Sequence, residues 1–222
     1  MFDAKKLLDQ LAGSGAAGGF AGGLAGGALA SAFMGKKGRK LTKSAVKVGG
    51  LALVGGLAYK AWQNHKQGAA SAETASATRV TAPPVADVPQ GTGFLPAPGD
   101  EAGAQQLSQL MVLAMISAAK ADGQVDTRES GMILQQVNSL PLDDEAKGFL
   151  FAEYSKPLDI ERLVAAVDSP EHAAEVYAAS ALVVHPASPA ERFYLDSLAR
   201  GLGLEAGLAR ELESAVASST AA

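Results

Sequence analysis

Asp122, Asp126 and Glu129 place three carboxylates within eight residues, in the run AKADGQVDTRE. Oxygen ligands at that density suit a hard cation, calcium or magnesium. The run is not an EF-hand, because it lacks the D-x-D-x-D-G pattern and the distant bidentate glutamate. A second loop, VHPASPAE, adds His185 and Glu191. Asp122, Asp126, Glu129, His185 and Glu191 are therefore the candidate metal ligands, for calcium or magnesium rather than zinc. Zinc favours several His or Cys ligands, and the chain has no cysteine and one histidine near either loop. The same residues have a structural reading. Asp126 with Glu129 three residues on is an acidic variant of the capping box, and His185 suits the negative end of a helix dipole.

Both loops need helices to hold them, and the second half of the chain supplies helical signals throughout. From Leu110 to Ala119 the sequence is apolar almost all round, as a buried central helix should be. Gly123 can end that helix, and Asp126 opens the next. Asp143 and Asp159 start two more. Ser169-Pro170 is cap plus first-turn proline for EHAAEVYAASALVV, a second nearly all-apolar helix. Ser188 to Glu191 is a capping box proper, Gly203 ends its helix, and EAGLARELESAV closes the chain. Strand signals are absent. The fold class is all-α, with about seven helices in residues 104–222.

The first half differs in composition. Residues 1–66 carry ten Lys and Arg against Asp3 and Asp9, whereas residues 67–222 carry nine against 21 Asp and Glu. A basic head joined to an acidic body should meet different partners at its two ends. Between them, residues 67–103 hold half of the prolines and no hydrophobic period, which predicts a disordered linker. The domain reading is a head at 1–66, a linker at 67–103 and a helical body at 104–222.

The head reads as membrane-associated helix. At about 100° per residue the glycines of residues 13–34, among them Gly15, Gly19, Gly23 and Gly27, fall on one half of the cylinder, with Phe20 and Leu24 on the other. In lipid the backbone must satisfy its own hydrogen bonds, and a glycine face lets another helix approach closely. That predicts packing, including self-association, through the glycine face. Residues 45–62 form a second apolar segment, with Lys47 and Lys60 near its ends, Tyr59 and Trp62 as interfacial aromatics, and Gly49 and Gly56 in a small-residue row. Its length just meets the requirement for a span. The basic connector GKKGRKLTK prefers the cytoplasmic side and anionic lipid headgroups. Three topologies follow: one span, two spans, or a head that lies on or dips into the inner face. Membrane lipid is the expected partner. Nucleic acid is not, since the basic connector has no interleaved aromatics.

The Gly-rich segment with its basic connector, followed by AKADGQVDTRE and PASPAERFYLDSLARGLGL, resembles the YebE-like bacterial inner membrane proteins of unknown function. The body alone is similar to the tellurite-resistance TerB-like helical domain. The resemblance implies a helical bundle with acidic loops suspected of holding a metal, a place in the bacterial inner membrane and a link to envelope or chemical stress. It implies no reaction. Where such proteins tend to carry an aspartate in the second loop, this chain has His185.

No phosphate loop, dinucleotide fingerprint or H-E-x-x-H motif is present, so the chain is not expected to be an enzyme. Two functions follow from the residues. One is an inner-membrane-anchored helical adaptor that binds a protein partner through its body. The other is a cation-responsive sensor built on loop 122–129.

Overall fold

The computed structural model describes residues 3–13, 50–70, 88, 92–121, 143–185 and 187–221. Among them are eight helices and no strand: α1 (Ala4–Gly13), α2 (Gly50–Ala70), α3 (Glu101–Ala119), α4 (Asp144–Ser155), α5 (Ile160–Ala165), α6 (Pro170–Val184), α7 (Pro189–Gly201) and α8 (Ala206–Ala221).

The helix starts follow the capping chemistry. Asp143, Asp159 and Ser169 each accept from the backbone N–H three residues on, at 2.8, 2.8 and 3.1 Å. Ser188 and Glu191 form the full reciprocal box at the start of α7. Such a cap is worth about 1 kcal/mol. The α7–α8 turn is closed by Leu204 N–H to the Ala199 carbonyl at 2.9 Å, with Gly203 at φ 65° as the left-handed residue this turn requires. α3 ends at Ala119 with Lys120 as its C-cap. The expected stop at Gly123 and the helix expected from Asp126 lie outside the described residues.

α6 is the centre. It packs against α3, α2, α8 and α7, and all twelve residues from Ala173 to Val184 are buried. α4 and α5 close one side against α3, and α5 also meets α7.

The first half of the chain belongs to this core as well. α2 lies against α8, α6 and α1, burying Leu51, Leu53, Val54, Leu57, Ala58 and Ala61. The segment 45–62, expected as a membrane span, is from Gly50 onward the first three turns of this core helix. No helix among the described residues is long and apolar enough to cross a membrane. The physical reason is visible in the sequence. Eleven of the twelve residues from Gly50 to Ala61 are apolar or small, Lys60 being the exception, and after Trp62 the residues Gln63, Asn64, His65, Lys66 and Gln67 follow in the same helix. A short apolar run of that kind fits a protein core as well as it fits lipid.

α1 is only ten residues long, too short to persist alone in water. It buries Leu7, Leu8 and Leu11 against α3 and α2, and each contributes about 1.5–3 kcal/mol. Both of its ends are tied down. The Gln105 side chain accepts from Ala4 N–H at 2.8 Å and donates to Asp3 at 3.0 Å. The Asp9 carboxylate accepts from Gly50 N–H at 2.6 Å. The exit of α1 and the entry of α2 thus meet at one edge of the bundle.

Part of the stretch expected as a linker is also packed. Phe94 is 2% exposed, edge-on to Tyr59 and Trp62 at 5.5 and 5.6 Å. Val88 and Leu95 rest on the same core. Residues 92–100 therefore cross α2 as a strap before α3 begins.

Candidate functional site

A cleft of about 700 Å³ opens where the C-terminal half of α2, the start of α6 and the α7–α8 turn converge. Its apolar floor is formed by Trp62, Val164, Val167, Ala173, Leu204 and Leu208. The capping that starts α6 at Ser169 and the left-handed turn at Gly203 set two of its walls. Its rim is charged. His65 Nε2 lies 3.0 Å from Glu205 Oε2, and the His65 ring is seated against Gly207, where a Cβ would come within 2.8 Å of Cε1. The His172 ring lies 2.5 Å from Asp168 Oδ1 and holds that carboxyl below the usual range. Lys66 Nζ stands 5.3 Å from the Trp62 ring centroid, a cation–π contact. An apolar floor with a few polar groups at the rim can receive an apolar side chain and orient it.

Three polar networks lie elsewhere in the bundle. Tyr177 donates to Glu213 at 2.7 Å, and Arg192 grips the same carboxylate with both ends of its guanidinium at 2.7 and 2.8 Å. The Arg192 fork, together with Tyr177, outweighs burial and holds the Glu213 carboxyl below the ordinary range. Burial pushes the Tyr177 hydroxyl up, and the Glu213 bond adds to it. Ser180, Tyr194 and the Ala114 carbonyl form a buried triangle between α6, α7 and α3. Lys120 donates to the carbonyls of Glu153 and Lys156, and burial lowers its ammonium pKa. Burial also opposes the charge on Glu153, but its bonds from Arg162 and Lys156 win and its pKa falls.

One carboxyl stands apart. Glu175 on α6 is 0% exposed, and neither of its oxygens has a hydrogen-bond partner among the described residues. Burial first, then the charge of Glu171 one turn back, raises its pKa to about 9.

Asp122, Asp126 and Glu129 lie outside the described residues, as do Gly15, Gly19, Gly23, Gly27 and Gly49. His185 is the exposed C-cap of α6, and Glu191 accepts from Ser188 N–H at 2.6 Å in the capping box. Neither lines the cleft. No group of three His, Asp or Glu placed to hold a metal occurs among the described residues. Gly56 is half-buried on α2, and its neighbour Gly55 on that helix makes tight contacts. Sequence reasoning missed Glu175, Lys120 and the cleft. A glutamate in the apolar interior of EHAAEVYAASALVV, a turn after Glu171, was a visible signal for the first. The cleft joins residues 62 to 208 and has no local signature.

An uncharacterized protein in the ampR 5' region of Yersinia enterocolitica is 28% identical over 97 residues, covering 44% of this chain and 70% of that relative. No solved structure matches the chain. The family profile that matches runs across residues 18–216, from the Gly-rich segment through α8, and on that match the chain belongs to the family described as protein of unknown function DUF533.

Proposed function

We propose that the protein is a non-enzymatic helical adaptor of the bacterial inner membrane, anchored through residues 14–49 and binding a protein partner in the cleft between α2, α6 and the α7–α8 turn. The observation that carries this reading is the tie between Asp9 and Gly50. α1 and α2 share one core, so the chain between them leaves and returns at one edge of the bundle. A single crossing would put the two helices on opposite sides of a membrane, and their shared packing argues against that. A second full crossing needs about 20 more apolar residues. After the basic connector only six residues remain before Gly50. Of the three topologies, this favours a head that lies on or dips into one face, with Lys36, Lys37, Arg39, Lys40 and Lys43 at the headgroups.

The partner segment is apolar with basic residues beside its anchor. The cleft floor takes the apolar side chain. Asp168 and Glu205, with side chains 77% and 79% exposed, supply the acidic rim. The acidic balance of residues 67–222 favours the same partner charge. The resemblance to YebE-like proteins and to the TerB-like domain supports a place at the inner membrane and in envelope or chemical stress.

The test has two arms. Full-length protein should sediment with membranes at physiological salt, and replacement of residues 14–49 by a short Gly/Ser loop should release a folded bundle. A photo-crosslinking residue at Leu204 should give a discrete protein adduct in cells, and one at Phe193, exposed on α7 away from the cleft, should not. Full-length protein in the supernatant, or equal adducts from both positions, would refute the proposal.

A further inference from the structure

Three elements meet at Gly55. A Cβ placed there would lie 3.0 Å from the Phe94 carbonyl oxygen, 3.0 Å from Leu95 Cδ2 and 3.1 Å from Glu175 Oε1. The strap, α2 and α6 thus converge on a point that only a glycine leaves open. One turn back on α6 the same segment passes over Glu171, whose Cγ would be 3.1 Å from a Cβ on Gly93. The strap lies across both glutamates. Its anchor, Phe94, is held edge-on between Tyr59 and Trp62, and Trp62 is also part of the cleft floor.

A carboxylate enclosed here without a cation would be far more costly than a neutral acid. A neutral carboxyl carries one O–H and needs an acceptor. The Phe94 carbonyl oxygen, which approaches the same point beside Gly55, is the backbone acceptor assigned to it in the latch. We propose that Glu175 is a proton-dependent latch: as a neutral acid it fastens the 92–95 strap across Gly55 of α2, and on losing its proton it frees the strap and opens the Trp62 end of the cleft. The charges around it favour the closed form. Glu171 on its own helix repels a second negative charge, and no cation on α2, α3, α7, α8 or the strap acts on it among the described residues. An anion formed there must be hydrated. The strap is the element that can yield, because it is not helical; Phe94 and Leu95 are among the side chains that seat it. The latch rests on the bundle alone and stands whether or not the cleft's occupant is the one proposed above.

Trp62 is the single tryptophan of the chain, so its emission reports the Phe94 contact directly. The experiment titrates the purified full-length protein from about pH 6 to about pH 10.5, following Trp62 emission and far-ultraviolet circular dichroism together. The wild type should show a red shift with a midpoint near pH 9 while its helical signal persists. Glu175→Gln, neutral at every pH, should keep the neutral-pH emission and lose the transition. Quenching by ionised tyrosines is common to both proteins and cancels in the comparison. Gly55→Ala, which drives a Cβ into the strap, should be red-shifted already at neutral pH. The latch is overturned if Glu175→Gln retains the transition, if the wild type shows none, or if helicity is lost along with the emission. A Glu175→Gln protein that does not fold leaves the decision to the wild-type titration and Gly55→Ala, read by the same criteria.

Discussion

Glu213 of α8 accepts from Tyr177 at 2.7 Å and from both ends of the Arg192 guanidinium, whereas Glu175, two residues before Tyr177 on α6, accepts from nothing among the described residues. Both carboxyls belong to helices packed on each other. The first is kept charged by a fork of donors and its pKa falls; the second is kept neutral by burial and its pKa rises. A helical bundle can therefore absorb a carboxyl in two ways. Given a partner, the carboxyl joins elements together, here α6, α7 and α8. Denied one, it becomes a group whose proton the fold depends on. The first arrangement is insensitive to moderate alkali, and the second is not.

The largest expected effect separates these two groups by pH. Between about 4.5 and about 9 the folded state keeps the Glu175 proton and the unfolded state has lost it. Stability must then fall as pH rises through that window, by about 1.4 kcal/mol per pH unit for one fully linked proton. Glu213 acts in the other direction and in another window. Its lowered pKa gives stability that is present above the ordinary carboxyl range and is lost as pH falls through the folded value. Urea unfolding at several pH values should show the decline from pH 5 to pH 9 in the wild type. Glu175→Gln should flatten it and leave the acid limb in place. A wild type whose stability is level across that range would break the contrast.

Gly55→Ala probes the same site from the other helix. In an exposed helix this change would stabilise by about 0.8–1 kcal/mol. Here the new methyl meets a backbone carbonyl, which cannot swing away as a side chain would. Overpacking of this kind costs about 1–3 kcal/mol, so the net change should be destabilising. Gly148 on α4, where a Cβ meets nothing within 4 Å among the described residues, is the control, and Gly148→Ala should stabilise.

Much of the bundle was legible because it rests on local chemistry. Asp143, Asp159, Ser169-Pro170 and the Ser188–Glu191 box each start the helix they announce. The apolar runs of α3 and α6 gave the two most buried helices. The placement of α2 was not legible. An apolar run with small residues carries the same pattern whether lipid or protein surrounds it, and the deciding contacts come from α8, more than 130 residues away. Phe94 was hidden for a related reason: a single aromatic in a Pro- and Ala-rich stretch makes no period, yet one buried ring is enough to fix a strap. The cleft depends on how α2 meets the α7–α8 turn, and it could not be seen until α2 was placed.

Arg192→Met tests the partnered carboxyl. The side chain keeps its stem and loses the fork, leaving Glu213 with the Tyr177 hydroxyl alone. Hydrogen bonds to charged groups are worth about 1.5–3 kcal/mol. Arg192 is 44% exposed, so solvent screening reduces the expected loss to about 1 kcal/mol at neutral pH. The loss should shrink in acid, as the pH falls below the ordinary carboxyl range and the unfolded chain takes up the Glu213 proton. A cost that is the same at pH 3 and pH 7 would mean that Arg192 acts through packing and not through charge.

The smallest effect is expected at the rim of the cleft, with Glu205→Gln. Glu205 meets His65 at 3.0 Å, but its side chain is 79% exposed, and a pair so placed contributes little after screening and side-chain ordering. The melting temperature should correspond to a change within about 0.5 kcal/mol. The His65 ring does not depend on that pair, because it is seated against Gly207 and 25% exposed. Gly207→Ala, whose Cβ would fall 2.8 Å from the ring, should displace it and cost more than removing the charge does. Glu205→Gln thus removes one negative charge from the rim while leaving the bundle intact. A basic partner segment should bind the variant more weakly, and the loss should fade as salt is raised. Weaker binding that is indifferent to salt would show that the rim acts by shape, leaving the apolar floor to select the partner.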